Sequence, residues 1–307
     1  MKKIYKTAFL SLALCSSLLG GEIRYGKGTF DMSMGVNKLF TMDMSLDIDV
    51  LTLSEHHANI DIKGLPFYYY YNVDIYTSDF VNKMTEWASY PVRMDIPFFG
   101  ASIEDFVKEY TMIPVPADYK IRGFDMDIGF GYDVVKDPSN EENYIGVAVN
   151  TGVSMPAMKT ENMVEDARLT YDLLKNTKTK IKTYKIGAAI HGNYEIAPKV
   201  SVYGFASYGH QTGTIENEYM LSDMDVDGTY TVVDFGIRYT PFSTKKDFGW
   251  ISLSPKLYLT LGHTYKKWDV DDVRVNLFKF FSANMFGPFT TEFESQYTYI
   301  GVGYSFF

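Results

Sequence analysis

The feature that most restricts this chain is a strict alternation of apolar and polar residues, sustained for about ten residues at a time. From Phe40 through Met42, Met44, Leu46 and Ile48 to Val50, every even position is apolar and every odd one is polar. Phe124, Met126, Ile128, Phe130, Tyr132 and Val134 alternate in the same way with Gly123, Asp125, Asp127, Gly129, Gly131 and Asp133. Successive side chains of a strand point to opposite faces, so a period of two assigns each set to one face. Similar faces recur at Ile145, Val147 and Val149, at Tyr184, Ile186, Ala188 and Ile190, at Val233, Phe235, Ile237 and Tyr239, and at Leu253, Leu257, Leu259 and Leu261. These runs exceed the five or six residues usual in soluble sheets and approach the ~9–11 that cross a bilayer. No stretch after Glu22 reaches the ~18 uncharged apolar residues of a membrane helix, so a spanning chain must use strands closed on themselves. The expected fold is all-β, a closed antiparallel transmembrane barrel. A soluble sandwich also alternates, but Asp and Gly recurring on the second face suit a wet lumen better than a dry core.

Composition agrees. Aromatic residues make up 16% of the 307, with 25 Tyr and 22 Phe, types that favour strands. A formal charge of −9 gives no reason to expect a nucleic-acid partner. The first residues read as a secretory signal: Lys2, Lys3 and Lys6 precede an apolar run, Ala8 to Leu19, and Gly20-Gly21 supply small residues for cleavage before Glu22. Residues 1–21 are therefore expected to be removed and 22–307 to form one barrel domain. Loss of the three lysines takes the charge to −12, and loss of Cys15 leaves no thiol for disulfides or metal ligation.

The last twelve residues, Gln296-Tyr297-Thr298-Tyr299-Ile300-Gly301-Val302-Gly303-Tyr304-Ser305-Phe306-Phe307, alternate up to a terminal aromatic. This segment resembles the C-terminal strand of bacterial outer-membrane β-barrel proteins, with Phe307 one residue beyond the family's usual end. The resemblance implies a Gram-negative outer membrane, lipid and lipopolysaccharide as neighbours, and a barrel-assembly machinery that reads Ile300, Val302, Tyr304, Phe306 and Phe307.

Barrels of this class have short periplasmic turns, long outer loops and an even strand number. Strands near Lys27–Val36 (Phe30, Met32 and Met34 toward lipid), Leu39–Leu51, and on to a tenth at Phe307 satisfy that rule, with a turn expected around Ser54–Ala58. Val273–Phe281 with Phe289–Phe293 would permit twelve; ten is the expectation. Short helices are expected in outer loops over Ser102–Tyr110 and behind an Asn162/Glu165 capping box, with Leu169, Leu173 and Leu174 as its apolar stripe and Lys175 and Lys178 at its far end.

The lumen face is expected to carry Asp43, Asp47, Asp49, Asp125, Asp127 and Asp234, with Asp31, Asp61 and Asp133, against the bases Lys185, Arg238 and Lys256, with Lys27 and Lys63. An excess of carboxylates biases a pore toward cations, although ten strands leave little room. The function expected is a narrow passive channel for small solutes. The alternatives are a structural or surface-interaction barrel acting through its loops, and third an outer-membrane hydrolase. No cofactor, metal centre or catalytic set is expected. A ten-stranded barrel is similar to the omptin proteases, whose site includes an Asp–His couple, but His56, His57, His191, His210 and His263 all lack an aspartate within two residues. The outer-membrane phospholipase pattern, a His two positions before a Ser, is not met by His191-Gly192-Asn193 or His210-Gln211-Thr212. His56-His57 falls in the expected turn, and His191 is expected in the lumen near Glu195.

Overall fold

The computed structural model describes residues 21–36, 40–62, 65–79, 81–82, 118–161, 178–217, 224–242, 246–247, 252–253, 257–274 and 289–304. Ten long strands carry the fold: β1 (Gly21–Val36), β2 (Phe40–Ile62), β3 (Leu65–Ser78), β4 (Asp118–Asp137), β5 (Asn140–Ser154), β6 (Lys178–Ala197), β7 (Val200–Asn217), β8 (Met224–Tyr239), β9 (Leu257–Arg274) and β10 (Phe289–Tyr304). Each pairs antiparallel with its neighbours, β3 against β4 included, and β1 pairs with β10, Gly21 opposite Tyr304, so the sheet has no open edge. A short strand, Ala157–Glu161, continues β5 beyond Pro156 and pairs with both β4 and β6. The signal segment and both expected loop helices lie outside the described residues.

Two two-residue connections lie at one end. Pro138-Ser139 joins β4 to β5, where the Ser139 N–H and hydroxyl donate to Asp137 at 2.8 and 2.6 Å and hold that exposed carboxyl below its ordinary range. Pro198-Lys199 joins β6 to β7, with Lys199 in the left-handed region at φ 74°. The long connections, 83–117, 162–177 and 275–288, leave from the other end, which by the rule of this architecture is the outer one.

Two sequence expectations need correction. The chain does not turn at Ser54–Ala58. β2 runs on to Ile62, and the register shifts between Glu55 and Ala58, so that His56 and His57 together oppose Tyr70. This is a β-bulge, and it turns both adjacent histidines inward instead of one each way. The expectation of ten strands holds: Val273 and Phe289–Phe293, which would have permitted twelve, are the outer ends of β9 and β10. Leu253 pairs with Lys246 in a small hairpin before β9 and is not part of that strand.

The second difference is larger. Strands of 14 to 23 residues far exceed the ~9–11 that a bilayer requires. Over the half near the tight turns, the outward face is apolar and exposed: Ile128, Phe130, Tyr132, Val147, Val149, Ile186, Ile190, Phe235, Ile237, Leu259, Leu261, Ile300 and Val302 form a continuous belt. A belt of this extent is a surface for hydrocarbon, not for water. Toward the outer end the faces exchange character. Phe30, Met32, Met44, Leu46, Ile48 and Val50 are buried inside the barrel, while Asp47, Asp49, Lys27 and Asp31 lie on the outside. The lipid-facing role expected for Phe30 and Met32 is therefore wrong, as is the lumen position expected for Asp47 and Asp49. The cause is that the barrel stands above the membrane: its outer half meets water on the outside and must hold a dry core within.

Candidate functional site: the barrel interior

Among the described residues the inward positions are filled in tiers. At the turn end Arg238 lies over the Tyr258 ring at 4.4 Å. Above it, Arg24 on β1 reaches Asp234 on β8 at 2.7 Å and Glu22 at 2.9 Å, and stacks on Tyr299 at 4.2 Å. Tyr299 donates to Asp234 at 2.7 Å, Thr260 hydrogen-bonds Glu22, and His56 contacts Arg24. Arg24–Asp234, Tyr299–Asp234 and Thr260–Glu22 join strands that are not neighbours, so these three contacts cross the lumen.

Beside this tier lies a pocket of rings. His57 is 2.8 Å from Asp133 and stacks on Tyr144 and Tyr68, with centroids 3.9 and 4.6 Å apart. His191 packs edge-on against Tyr144, 3.4 Å from its hydroxyl. It does not meet Glu195, which instead accepts from Asn140 and from the Lys199 N–H.

The middle tier is ionic. Lys185 on β6 bonds Asp125 at 2.7 Å and Asp127 at 2.9 Å; Lys266 on β9 bonds Asp74 on β3 at 2.7 Å and also Asp125. Thr52 and Tyr297 donate to Asp74 at 2.7 Å each, and the Trp268 indole donates to Ser154 at 3.0 Å, whose hydroxyl in turn meets Asp125. Every one of these charges is at most 4% exposed. Such a group is tolerable only because each charge is paired and hydrogen-bonded.

Above the ions sits the apolar core of the outer half. Phe30 contacts the rings of Tyr76, Trp268 and Phe293 at 5.6 to 6.1 Å, with Leu46, Ile48, Ile121, Ile215, Val226 and Val270 around them.

Glycines make this filling possible. On the inner face of β4, Gly123, Gly129 and Gly131 stand directly opposite Tyr76, Tyr70 and Tyr68 of β3. A Cβ at these glycines would come within 1.8 to 2.4 Å of the tyrosine rings. The inner glycines are thus seats for tyrosines and not the mark of a wet lumen. One space between the tiers, bounded by His56, Tyr70, Asp127, Phe205 and Lys266, is about 20 Å³, room for about one water.

The sequence-derived candidates divide accordingly. Asp125, Asp127, Asp234, Lys185 and Arg238 are in the interior, the first two joined through Lys185. Asp47 and Asp49 are on the outer wall, Asp49 3.5 Å from Lys27. The side chain of Asp43 and the whole of Lys256 lie outside the described residues. Reasoning from the sequence missed Glu22, Arg24, Asp74 and Lys266, although all four have the inward parity of their strands. It also missed three histidine–aspartate contacts, His57–Asp133, His56–Asp234 at 3.7 Å and His210–Asp227 at 3.8 Å. The last lies on the outer wall, where Asp227 stands opposite Thr212 and His210 opposite Thr229.

No family model matches the chain, and no curated protein matches it by sequence. Solved structures do. The crystal structure of the outer membrane protease OmpT from Escherichia coli aligns over 94% of this chain and 97% of its own at 10% identity, with a TM-score of 0.50. The fold is that of a bacterial outer-membrane β-barrel. The translocator domain of the autotransporter NalP from Neisseria meningitidis (8% identity, 99% and 96% covered, TM-score 0.37) and the Pseudomonas putida toluene transporter TodX (7%, 94% and 90%, 0.31) also align. At these identities the likeness concerns the fold alone.

Proposed function

We propose that the protein is a closed, non-conducting and non-enzymatic outer-membrane barrel that works at the cell surface, presenting its outer connections on a rigid pedestal. The observation that carries this reading is the interior, which among the described residues is filled by polar tiers and an apolar core, with a space of about 20 Å³ between tiers that holds about one water. The cation-leaning pore expected from the acidic lumen loses its basis, because Asp47 and Asp49 are outside and Asp74, Asp125 and Asp127 are occupied by Lys185 and Lys266. Residence in the outer membrane and assembly through the last strand belong to the same reading. Ile300 and Val302, exposed on the apolar belt, offer the assembly machinery the outward face expected of such a strand.

Planar-bilayer recording of the purified full barrel is the test. A flat current at all voltages is expected, and discrete conductance steps would overturn the closed-barrel reading. The surface role is tested on whole cells: trimming 83–117 and 162–177 should leave barrel assembly intact but reduce adhesion and autoaggregation. Unchanged cell behaviour counts against that role.

A further inference from the structure

The seam where the barrel closes is uneven at the turn end. β1 begins at Gly21, opposite Tyr304 of β10, and its pairing with β2 begins at Glu22, opposite Ser54. β2 runs on past Ser54 to Ile62, paired through this stretch with β3. Its other edge, from Glu55 to Ile62, faces no strand among the described residues. The level of this edge makes it costly. Ala58 and Ile60 stand opposite Tyr69 and Phe67, whose own partners on β4 are Phe130 and Tyr132. The Phe67 ring packs on both, at 5.3 and 5.4 Å. Phe130 and Tyr132 belong to the exposed apolar belt, so this part of β2 lies at the level of hydrocarbon. Open sheet edges do not occur there, because no water is present to satisfy their N–H and C=O groups.

The residues at the seam are parts of the wall. Gly21 has φ +123°, which favours glycine, and a Cβ there would come within 2.8 Å of the Ser54 carbonyl oxygen and 2.9 Å of the Tyr71 hydroxyl. Glu22 is wholly buried, with its carboxylate on Arg24 at 2.9 Å and on Thr260. The signal cut expected before Glu22 would delete Gly21 and place a charged amine on a buried residue. The sequence upstream offers other places to cut. Small residues fill both positions of the A-x-A-like pattern in Ala13-Leu14-Cys15 and in Cys15-Ser16-Ser17, whereas a cut before Glu22 puts Leu19 at the first of them.

We propose that the signal is cut after Cys15 or Ser17, and that the retained residues, from Ser16 or Leu18 to Gly20, complete β1 by pairing with the open edge of β2. Three to five residues make roughly 10–17 Å of strand, which covers most of that edge. Continued at the parity of Ile23 and Tyr25, the retained segment turns Leu19 toward lipid. The assignment goes beyond the closed-barrel reading, since a conducting barrel would have the same seam; the bilayer recording and the experiment below fail independently.

The test expresses the full chain in a Gram-negative host and reads the first residue of the barrel purified from outer membranes, by N-terminal sequencing and intact mass. A start at Ser16 or Leu18 is expected, and any start that keeps Leu18 supports the retained strand; a start at Leu19 or later overturns it. A second measurement asks whether the segment covers the edge. Chains beginning at Ser16 and at Glu22 are refolded in detergent, with the heat-modifiable gel shift confirming folding, and amide exchange over Glu55–Ile62 is followed by mass spectrometry. The longer chain should protect these amides, and the shorter should exchange them faster by on the order of a hundredfold, with β6 and β7 alike in both. Should the shorter chain not fold, L19P in the longer one replaces it and should release the same amides. Equal protection of Glu55–Ile62 in the two folded chains, or unchanged protection in L19P, would overturn the pairing.

Discussion

Lys266 shows how much rests on single side chains in the lumen. Its ammonium lies between Asp74 and Asp125, and removing it leaves two carboxylates buried at 1% exposure or less without that partner. Truncating one member of a buried ionic group costs about 3–5 kcal/mol, so K266M should lower the urea midpoint of the barrel by that equivalent, read by the heat-modifiable gel shift. K27Q removes an ion pair that is exposed on both sides and should leave the midpoint unmoved. Similar loss by both variants would mean that the interior is not the source of stability. Gly129 makes the complementary point, because the Tyr70 ring lies 2.0 Å from where its Cβ would be. G129V should prevent native closure, with no heat-modifiable band, while G129V/Y70A restores it in part. At this scale the sequence was only partly legible. Inward parity was visible for Asp125 and Lys185, but their ion pair joins residues 60 apart, and His57 finds Asp133 at a separation of 76. A search for partners within two residues cannot find couples made by strand pairing or across a lumen.

The strands carried the most readable signal, and also the one most easily misread. Alternation located β2, β4, β5, β6, β8 and β10, and it gave the correct outward face wherever the strand lies in the membrane. What it does not encode by itself is which medium each face meets. In β2 the apolar set is inward up to Val50 and outward from Leu51; in β8 it is inward up to Val232 and outward from Val233. The adjacent apolar pairs Val50-Leu51 and Val232-Val233 are the phase changes, and they mark the outer boundary of the membrane. Read with one constant phase, β1 and the first half of β2 turn inside out, which is what placed Phe30 toward lipid and Asp47 in the lumen. The bulge at His56-His57 was hidden for a related reason: two polar residues in succession look like a turn unless the pairing with Tyr70 is known. Single cysteines offer a direct check, made clean by expected removal of Cys15 with the signal. A water-soluble maleimide on intact cells should label positions 31, 47 and 49, but not 30 or 32, and not the lipid-facing 300 or 302. Labelling of 30 and 32 with protection of 31 would restore the single-phase reading. Within the belt, F130R should cost about 2–4 kcal/mol if that position lies near the bilayer midplane.

For the molecule as a whole, stacking two different fillings in one lumen has a consequence that neither would have alone. The polar tiers are built from bonds that cross the barrel at membrane height, and the apolar core closes it again above the membrane. Obstructions in series conduct only as well as the tighter of them, so opening one tier leaves the barrel shut. Removing Arg24, Asp234 and their neighbours' bonds with R24A/D234A widens the tier beneath the ions but leaves Phe30, Trp268 and Phe293 in contact. That variant should record no conductance in planar bilayers despite a lower unfolding midpoint. F30A/W268A opens the outer core, yet Lys185 and Lys266 still bridge Asp74, Asp125 and Asp127 below it, and it too should stay silent. Only the combination, with K266A added to release the middle tier, should yield discrete steps, provided the gel shift confirms a folded barrel. Conductance in either partial variant would show that one filling alone holds the lumen closed; silence in a folded, fully combined variant would place the seal in residues outside the tiers described.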